Sequence, residues 1–130
     1  MTSTEQLIRD RINDDGSQPY DLGGRIRPSI RYSNDNMPAV VYNILSEETQ
    51  GRLGGSDGYI VEAECVALSN DYGTARAIAE RVRTLFDVYI DSSNQAACTV
   101  GNLDVDQLAP VDGAEVGPWS ATVTITIVRT

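Results

Sequence analysis

Alternating apolar and polar residues predict three long β-strands in this chain. The clearest pattern covers residues 119–128, where apolar side chains occupy the odd positions and Ser or Thr most of the even ones. A similar period appears in 39–46, which is rich in β-branched and aromatic residues, and in 59–68. Within 59–68, Glu62 and Glu64 fall on the face opposite to the small apolar residues. Strands with one polar face are typical of an antiparallel sheet that packs one side against a core.

A period of three to four residues predicts the main helix at 71–87. Asn70 or Asp71 supplies a side-chain oxygen suited to cap its first turn. The apolar positions share one face, and they are Ala75, Ile78, Ala79, Val82, Leu85 and Phe86. This helix is therefore expected to pack on a sheet along one side and to meet solvent along the other.

The N-terminal part of the chain predicts a short helix followed by an edge strand. Residues 2–12 carry a thin apolar stripe, and Thr2 or Ser3 is suited to cap this helix because Glu or Gln follows three positions later. In 25–32, isoleucines lie on one side and arginines on the other. Pro28 cannot donate a hydrogen bond to a neighbouring strand, so this segment belongs at the edge of a sheet.

Three connections complete the predicted organisation. Residues 47–58 are charged and glycine-rich, which predicts a protruding hairpin; residues 88–101 predict two short strands around a turn; residues 102–118 are acidic and rich in turn residues. The order of elements predicts one α+β domain over residues 1–130. We expect an antiparallel sheet of about four to five strands, with two main helices packed on one face.

The charge balance and the missing residue types exclude several kinds of chemistry. The 130 residues include 19 acidic and 10 basic ones, for a net charge of −9, and every basic residue is Arg. Without His or Lys, the chain has no imidazole base, no His-type zinc site and no P-loop lysine. Its negative charge disfavours adhesion to nucleic acid or to anionic membranes. We predict no enzyme activity, no catalytic residue, no cofactor and no metal site.

Cysteine usage and the N-terminus indicate a protein without secretion features. Cys65 and Cys98 are too few for a disulfide framework, so both are expected to be reduced, buried and apolar in character. The N-terminus lacks the basic-then-apolar pattern of a signal peptide. No apolar run is long enough for a transmembrane helix.

Glycines cluster in the connection at 51–58, which raises the question of a phosphate-binding loop. Such a loop needs a helix directly after it, whereas a strand follows here. The favoured interpretation is a flexible hairpin tip that contacts a partner, because exposed loops often carry such contacts. The residues predicted to dock the partner are Gln50, Arg52, Leu53, Gly54, Gly55 and Asp57.

Glu62 and Glu64 invite two interpretations. Paired carboxylates catalyse glycoside hydrolysis when they face each other across a cleft, but these two project side by side from one strand. The better interpretation is a polar sheet face or a subunit interface, and in an interface Arg25, Arg27 and Arg31 of a neighbouring copy are the partners. Arg pairs with carboxylates through a bidentate fork, which suits an interfacial ion pair. The alternative for the arginines is a solvated edge that prevents unwanted strand pairing.

Within the 102–118 segment, Asp104, Asp106 and Asp112 with Gly113 loosely resemble a calcium loop. Asp104 and Asp106 have the right spacing, but Leu108 stands at the next ligand position and no bidentate Glu closes the loop. A solvated acidic loop is the favoured interpretation, with adventitious binding of divalent cations as the alternative.

The succession of segments resembles one protein family. An N-terminal helix leads to the R-I-x-P element at 25–28, then to MPAVVYNIL at 37–45, and a glycine-rich hairpin leads into YIVEAECVAL at 59–68. The second helix follows directly at 70–87, and the chain ends in TVTITIV at 122–128. Across nearly the whole chain, this order is similar to the tail-completion, or tail-terminator, proteins that join head and tail in long-tailed phages.

The resemblance implies a structural virion protein of the phage neck. Members of this family form a hexameric ring on the head-proximal end of the tail tube, end its polymerisation and present a docking surface to the head connector. The implied partners are copies of the same chain, the tail tube protein, the head-completion protein and genomic DNA, which passes through an acidic channel without specific binding. Assembly in the host cytoplasm and a place in the virion neck are implied as well.

Two alternatives remain beside this interpretation. The chain is also compatible with another neck component, such as a head-closure or adaptor protein, or with a minor tail protein. Less favoured is a small-molecule-binding domain or an enzyme, which needs a persistent pocket with convergent polar groups.

Overall fold

A computed structural model describes residues 3–20, 22, 24–28, 37–50, 58–109 and 117–129. Within these residues the chain forms two α-helices and six β-strands, an α+β fold as predicted. In chain order the elements are α1 (Thr4–Asn13), β1 (Ile26–Pro28), β2 (Ala39–Gln50), β3 (Gly58–Ser69), α2 (Tyr72–Phe86), β4 (Tyr89–Asp91), β5 (Ala96–Gln107) and β6 (Trp119–Arg129).

The strands form one mixed sheet in the order β1-β2-β3-β6-β5-β4. Strand β1 pairs with β2 in parallel, and every other neighbouring pair is antiparallel. The prediction of an antiparallel sheet of about four to five strands is therefore confirmed only in part, since four of the five neighbouring pairs are antiparallel and the described residues form six strands. The prediction that Pro28 marks an edge strand is confirmed, since β1 is the terminal strand and Pro28 its last residue.

The longest departure from the predicted elements is β5, which continues to Gln107 through residues expected to be an acidic loop. An irregularity between Val100 and Leu103 shifts its register on β6, after which pairing resumes as far as Gln107 with Trp119. Pairing with the strongly β-forming β6 overrides the weak strand propensity of the Gly, Asn and Asp residues in this stretch. Strand β2 likewise runs past the predicted end at 46 into the predicted connection.

Both helices begin at the capping residues that the sequence offers. The Ser3 hydroxyl accepts the Gln6 N–H at 3.2 Å, and the Asp71 carboxylate accepts the Thr74 N–H at 2.9 Å. Each cap satisfies an N–H that the first helical turn leaves without an intrahelical partner. The predicted apolar face of α2 is buried in full.

The core lies between the helices and one face of the sheet. Alternate residues of β3 and β6 point into it, and Ile125 and Ile127 have no exposed surface. Both cysteines are buried there as free thiols, as predicted, and burial raises the pKa of Cys65 to about 12 and that of Cys98 to about 11. Neither thiol is therefore activated at neutral pH. Among the helices of the described ranges, none is long and apolar enough to cross a membrane.

Arg11 fastens α1 to the carboxyl end of α2. Its Nε donates to the Leu85 carbonyl at 3.1 Å, and its guanidinium lies 3.7 Å from the centre of the Tyr89 ring. A cation at this end of a helix meets carbonyl groups that lack intrahelical partners and a favourable helix dipole.

Arg129 is a second long-range tie, and it is 1% exposed at the end of β6. Its guanidinium donates to the Thr4 hydroxyl at 3.1 Å and to the Asn94 carbonyl at 2.9 Å. These bonds connect the start of α1, the turn between β4 and β5, and the last strand.

Candidate interaction surface

The sheet face that points away from the helices is the candidate site, and we call it the open face. Strand alternation and register place one set of side chains from β2, β3, β5 and β6 on it. Apart from the buried Ser120, its polar and charged members are Asn43, Ser46, Glu48, Glu62, Glu64, Thr99, Asp104, Asp106, Thr122, Thr124 and Thr126. All of these side chains are exposed or half-buried.

Glu62 and Glu64 lie near the middle of the open face. In the register across β3 and β6, Glu62 is opposite Thr126 and Glu64 is opposite Thr124. Thr99 of β5 continues the Glu62 row beyond Thr126. The carboxylates thus stand among hydroxyl groups, which neutralise no charge, and Glu62 is exposed whereas Glu64 is half-buried.

The acidic character of the open face extends beyond β3. Asp104 and Asp106 are exposed on β5, and Glu48 is exposed near the far end of β2. Among the described arginines on the six strands, Arg27 lies on the open face, because it is opposite Val41 in the β1–β2 register. A surface on which carboxylates outnumber arginines repels polyanions and attracts cationic side chains.

Part of the predicted subunit interface lies on one side of the sheet, with its arginine and its glutamates on strands that are not neighbours. Arg27, Glu62 and Glu64 lie on the same side of the sheet, but β2 separates β1 from β3. Adjacent strands are about 4.8 Å apart, so roughly 10 Å lies between the strand carrying the arginine and the strand carrying the glutamates. Arg25 has a role within the chain, because its Nε donates to the Pro38 carbonyl at 2.9 Å. Arg31 lies outside the described residues.

The predicted docking hairpin can be located only at its base. Gln50 is the last residue of β2, and Gly58 opens β3 directly opposite it. The strand pairing therefore confirms the prediction that 47–58 connects two antiparallel strands, although β2 extends over the first four residues of this range. The remaining docking residues are outside the described ranges, and they are Arg52, Leu53, Gly54, Gly55 and Asp57.

Asp104 and Asp106 do not lie in a calcium-like loop. They are alternate residues of β5, opposite Thr122 and Ser120 of β6. In the described part of the chain, no group of three or more His, Cys, Asp or Glu side chains is placed to hold a metal ion. The prediction of an acidic loop at this point is wrong, because these carboxylates belong to a strand.

A partly buried ion pair that the sequence patterns did not reveal joins the loop after α1 to α2. The Arg81 guanidinium donates through Nε and through a terminal nitrogen to the two oxygens of Asp15, each at 2.8 Å. The Asp15 side chain is 4% exposed, and the bidentate bonds from Arg81 hold the pKa of this carboxyl below its ordinary value. The two residues are 66 positions apart, so no local pattern indicates their contact.

The chain was also compared with known proteins. No family model matches it, and no curated protein sequence matches it.

Proposed function

We propose that this chain is a structural protein of a phage virion that forms a ring at the head-proximal end of the tail tube. In this role it ends tube polymerisation and provides the docking surface for the head connector. The observation that carries the proposal is the acidic character of the open face, where the carboxylates of Glu62, Glu64, Asp104 and Asp106 are exposed or half-buried in a single copy.

The order of elements supports the proposal as well. The segments on which the resemblance to tail-completion proteins rests occupy α1, β1, β2, β3, α2 and β6, in that sequence. The α2 helix begins three residues after β3 ends, as the similarity implies. Shared organisation of this kind supports a fold relationship, and the function is inferred from it together with the surface.

The open face suits a channel for DNA. A ring multiplies the charge of −9 per chain by the number of subunits, and a negative lumen repels the phosphate backbone instead of retaining it. Among the described residues, this face carries carboxylates and threonine hydroxyls and, of the arginines on the strands, Arg27. An alternative within this proposal is that Glu62 and Glu64 pair with Arg27 of the next copy and therefore lie at a subunit contact instead of the channel.

Removal of the gene from the phage tests the proposed role. We expect lysates to contain overlong tail tubes without heads, visible by negative-stain electron microscopy, because nothing ends tube growth. Supplying the intact gene from a plasmid should restore normal tails and is the matched control.

Two other outcomes of this experiment have defined meanings. Tails of normal length that fail to join heads would reject length termination and would favour a head-closure or adaptor protein. Normal, infectious virions would reject a role in the neck altogether and would direct attention to a binding or enzymatic function.

A further inference from the structure

The two terminal strands of the sheet differ in how their outer edges are protected against pairing. Strand β1 ends in Pro28, which has no N–H, and the Ile26 N–H already donates to the Gly24 carbonyl at 2.9 Å. A missing donor and an occupied donor hinder the addition of another strand at this edge. Strand β4 contains no proline, and no other strand of the described ranges pairs with its outer edge. The sheet is therefore open to strand addition at β4.

Apolar side chains are exposed at the same edge. Ile90 in the middle of β4 is 70% exposed, and Val88, which directly precedes the strand, is 73% exposed. These are the two largest values among the exposed large apolar residues of the described ranges. Val88 also has a φ of 52°, a left-handed conformation that β-branched residues rarely adopt and that favours glycine. The packing of a single copy therefore does not explain why both positions are apolar.

Ile90 is the last member of an apolar row that crosses one end of the open face. In the strand register Ile90 is opposite Ala97 of β5, Ala97 is opposite Val128 of β6, and Val128 is opposite Ile60 of β3. Ile90, Ala97 and Val128 line a shallow depression of about 220 Å³. The row stops at the outer edge of β4, where one more strand would continue it.

We propose that β4 pairs with β4 of a second copy of this chain, antiparallel and centred on Ile90. This register is the one that pairs all three residues of each strand, and its two-fold axis keeps the open faces of both copies on the same side. Ile90 then lies opposite its counterpart in the second copy. The apolar row runs without interruption through both sheets, from Ile60 of one copy to Ile60 of the other.

The charges around β4 are complementary in this register. Asp91 of each copy lies opposite Tyr89 of the other, and the Arg11 guanidinium is 3.7 Å from the centre of that ring. Side chains directly opposite each other on antiparallel strands have Cβ atoms about 5 Å apart, so Asp91 comes within reach of Arg11 from the second copy. The two-fold contact contains two such pairs, and their opposite charges favour association. This self-complementarity is the reason for assigning the edge to a second copy of the chain.

The proposal does not depend on the ring function, because a two-fold contact closes at two copies whereas a ring needs head-to-tail contacts. Sedimentation velocity of the full chain distinguishes them by mass. We expect a reversible monomer–dimer equilibrium at concentrations up to about 1 mM, since contacts through short strands are small and small interfaces bind weakly. A chain that stays monomeric, or that forms hexamers without dimers, overturns the proposal.

A lysine at the centre of the contact tests its location. Ile90→Lys should weaken dimerisation by about tenfold or more, because a charge on an edge strand opposes pairing with its own counterpart. Its Tm should stay close to that of the unmodified chain, since Ile90 is exposed. Leu45→Lys is the control, with the same change at an exposed apolar residue of β2, and it should leave dimerisation unchanged. Equal weakening by both variants overturns the assignment to β4.

Cysteines test the register. Ile90→Cys should form a disulfide-linked dimer under mild oxidation, because opposed residues of antiparallel strands have Cα atoms about 4.5–5.5 Å apart, within disulfide range. Val88→Cys is the matched control: it is equally exposed, but in this register it lies about 13 Å along the strands from its counterpart. Ile90→Cys should therefore link about tenfold faster or more. Equal rates in the two variants would overturn the register, since they indicate random collision.

Discussion

The two faces of strands β3 and β6 have opposite properties although alternate residues of the same two strands form them. Towards the helices, Val61, Ala63, Val123 and Ile125 have no exposed surface. One residue away on each strand, glutamates and threonines are exposed or half-buried on the open face. A shift of one residue in register would exchange the two sets, so the hydrophobic pattern fixes the register while the sheet forms.

The contrast separates the residues that hold the fold from those available for a partner. The buried face contributes the apolar area that drives folding, and its packing tolerates little change. The polar members of the open face contribute little apolar burial, so substitutions of these residues alter surface chemistry at small cost in stability. Predictions that compare neighbouring residues on one strand test this division directly.

Ile125→Ala and Thr124→Ala compare adjacent residues of β6 that point to opposite faces. Ile125→Ala should lower the free energy of unfolding by about 2–5 kcal/mol, because it removes buried methyl groups and leaves a cavity. Thr124→Ala should lower it by less than about 1 kcal/mol, mainly through reduced strand propensity and the lost contact with Glu64. Urea unfolding of both variants measures the difference, and equal losses would contradict the division between the faces.

How far the sequence predicts this fold depends on whether the information is local. The α2 helix and β6 follow from periodicity and capping residues that are close together in the chain, and both lie within a residue or two of their predicted bounds. The second half of β5 could not be predicted in this way, because Gly101, Asn102 and Asp104 disfavour strands. Asp104 is paired with Thr122 of β6, whereas Gly101 and Asn102 lie in the irregularity between the paired residues.

Partnerships between distant residues were also beyond local reasoning. Whether β1 pairs with β2 in parallel depends on the path of the connecting chain, which alternation does not encode. Arg129 continues the inward alternation of β6, so its burial could have been expected, whereas its bonds to Thr4 and Asn94 could not. For the candidate surface, alternation predicted correctly that Glu62 and Glu64 lie on the polar face, but it did not indicate Asp104 and Asp106 on the same face, two strands away on β5.

Asp15→Asn tests a partly buried ion pair on the helix side of the sheet. We expect it to lower the free energy of unfolding less than Ile125→Ala does. Loss of the charge from the Arg81 fork should lower the free energy of unfolding by about 2 kcal/mol at pH 7. Because the folded state lowers the Asp15 pKa, this stabilisation is present above the unfolded pKa and is lost as the pH falls through the folded one. The difference between the variant and the unmodified chain should therefore narrow below about pH 4.

The exposed pair between Arg76 and Glu80 provides the control for this experiment. Their side chains are each 46% exposed, and the two charged groups are 3.2 Å apart on one turn of α2. Glu80→Gln should change the free energy of unfolding by no more than about 0.5 kcal/mol at any pH, since exposed pairs are screened by water. The two variants are compared by chemical unfolding at several pH values between about 3 and 7, a range that extends to both sides of the ordinary pKa of Asp and Glu. A pH-independent loss in Asp15→Asn would contradict the role assigned to its charge.

The smallest effect on stability is expected on the open face, where Glu62→Gln and Glu64→Gln are combined. Two like charges side by side on one strand repel each other weakly, so their removal should change the free energy of unfolding by less than about 0.5 kcal/mol. If Arg27 of a neighbouring copy pairs with these glutamates, the same double variant should nonetheless complement the deleted phage gene poorly. Asp104→Asn with Asp106→Asn is the matched pair, with the same change in charge on the same face but on β5. Impaired complementation by the first pair alone supports a contact with Arg27. Equal impairment by both pairs indicates a dependence on total charge. Full complementation by both pairs contradicts an essential contact at the glutamates.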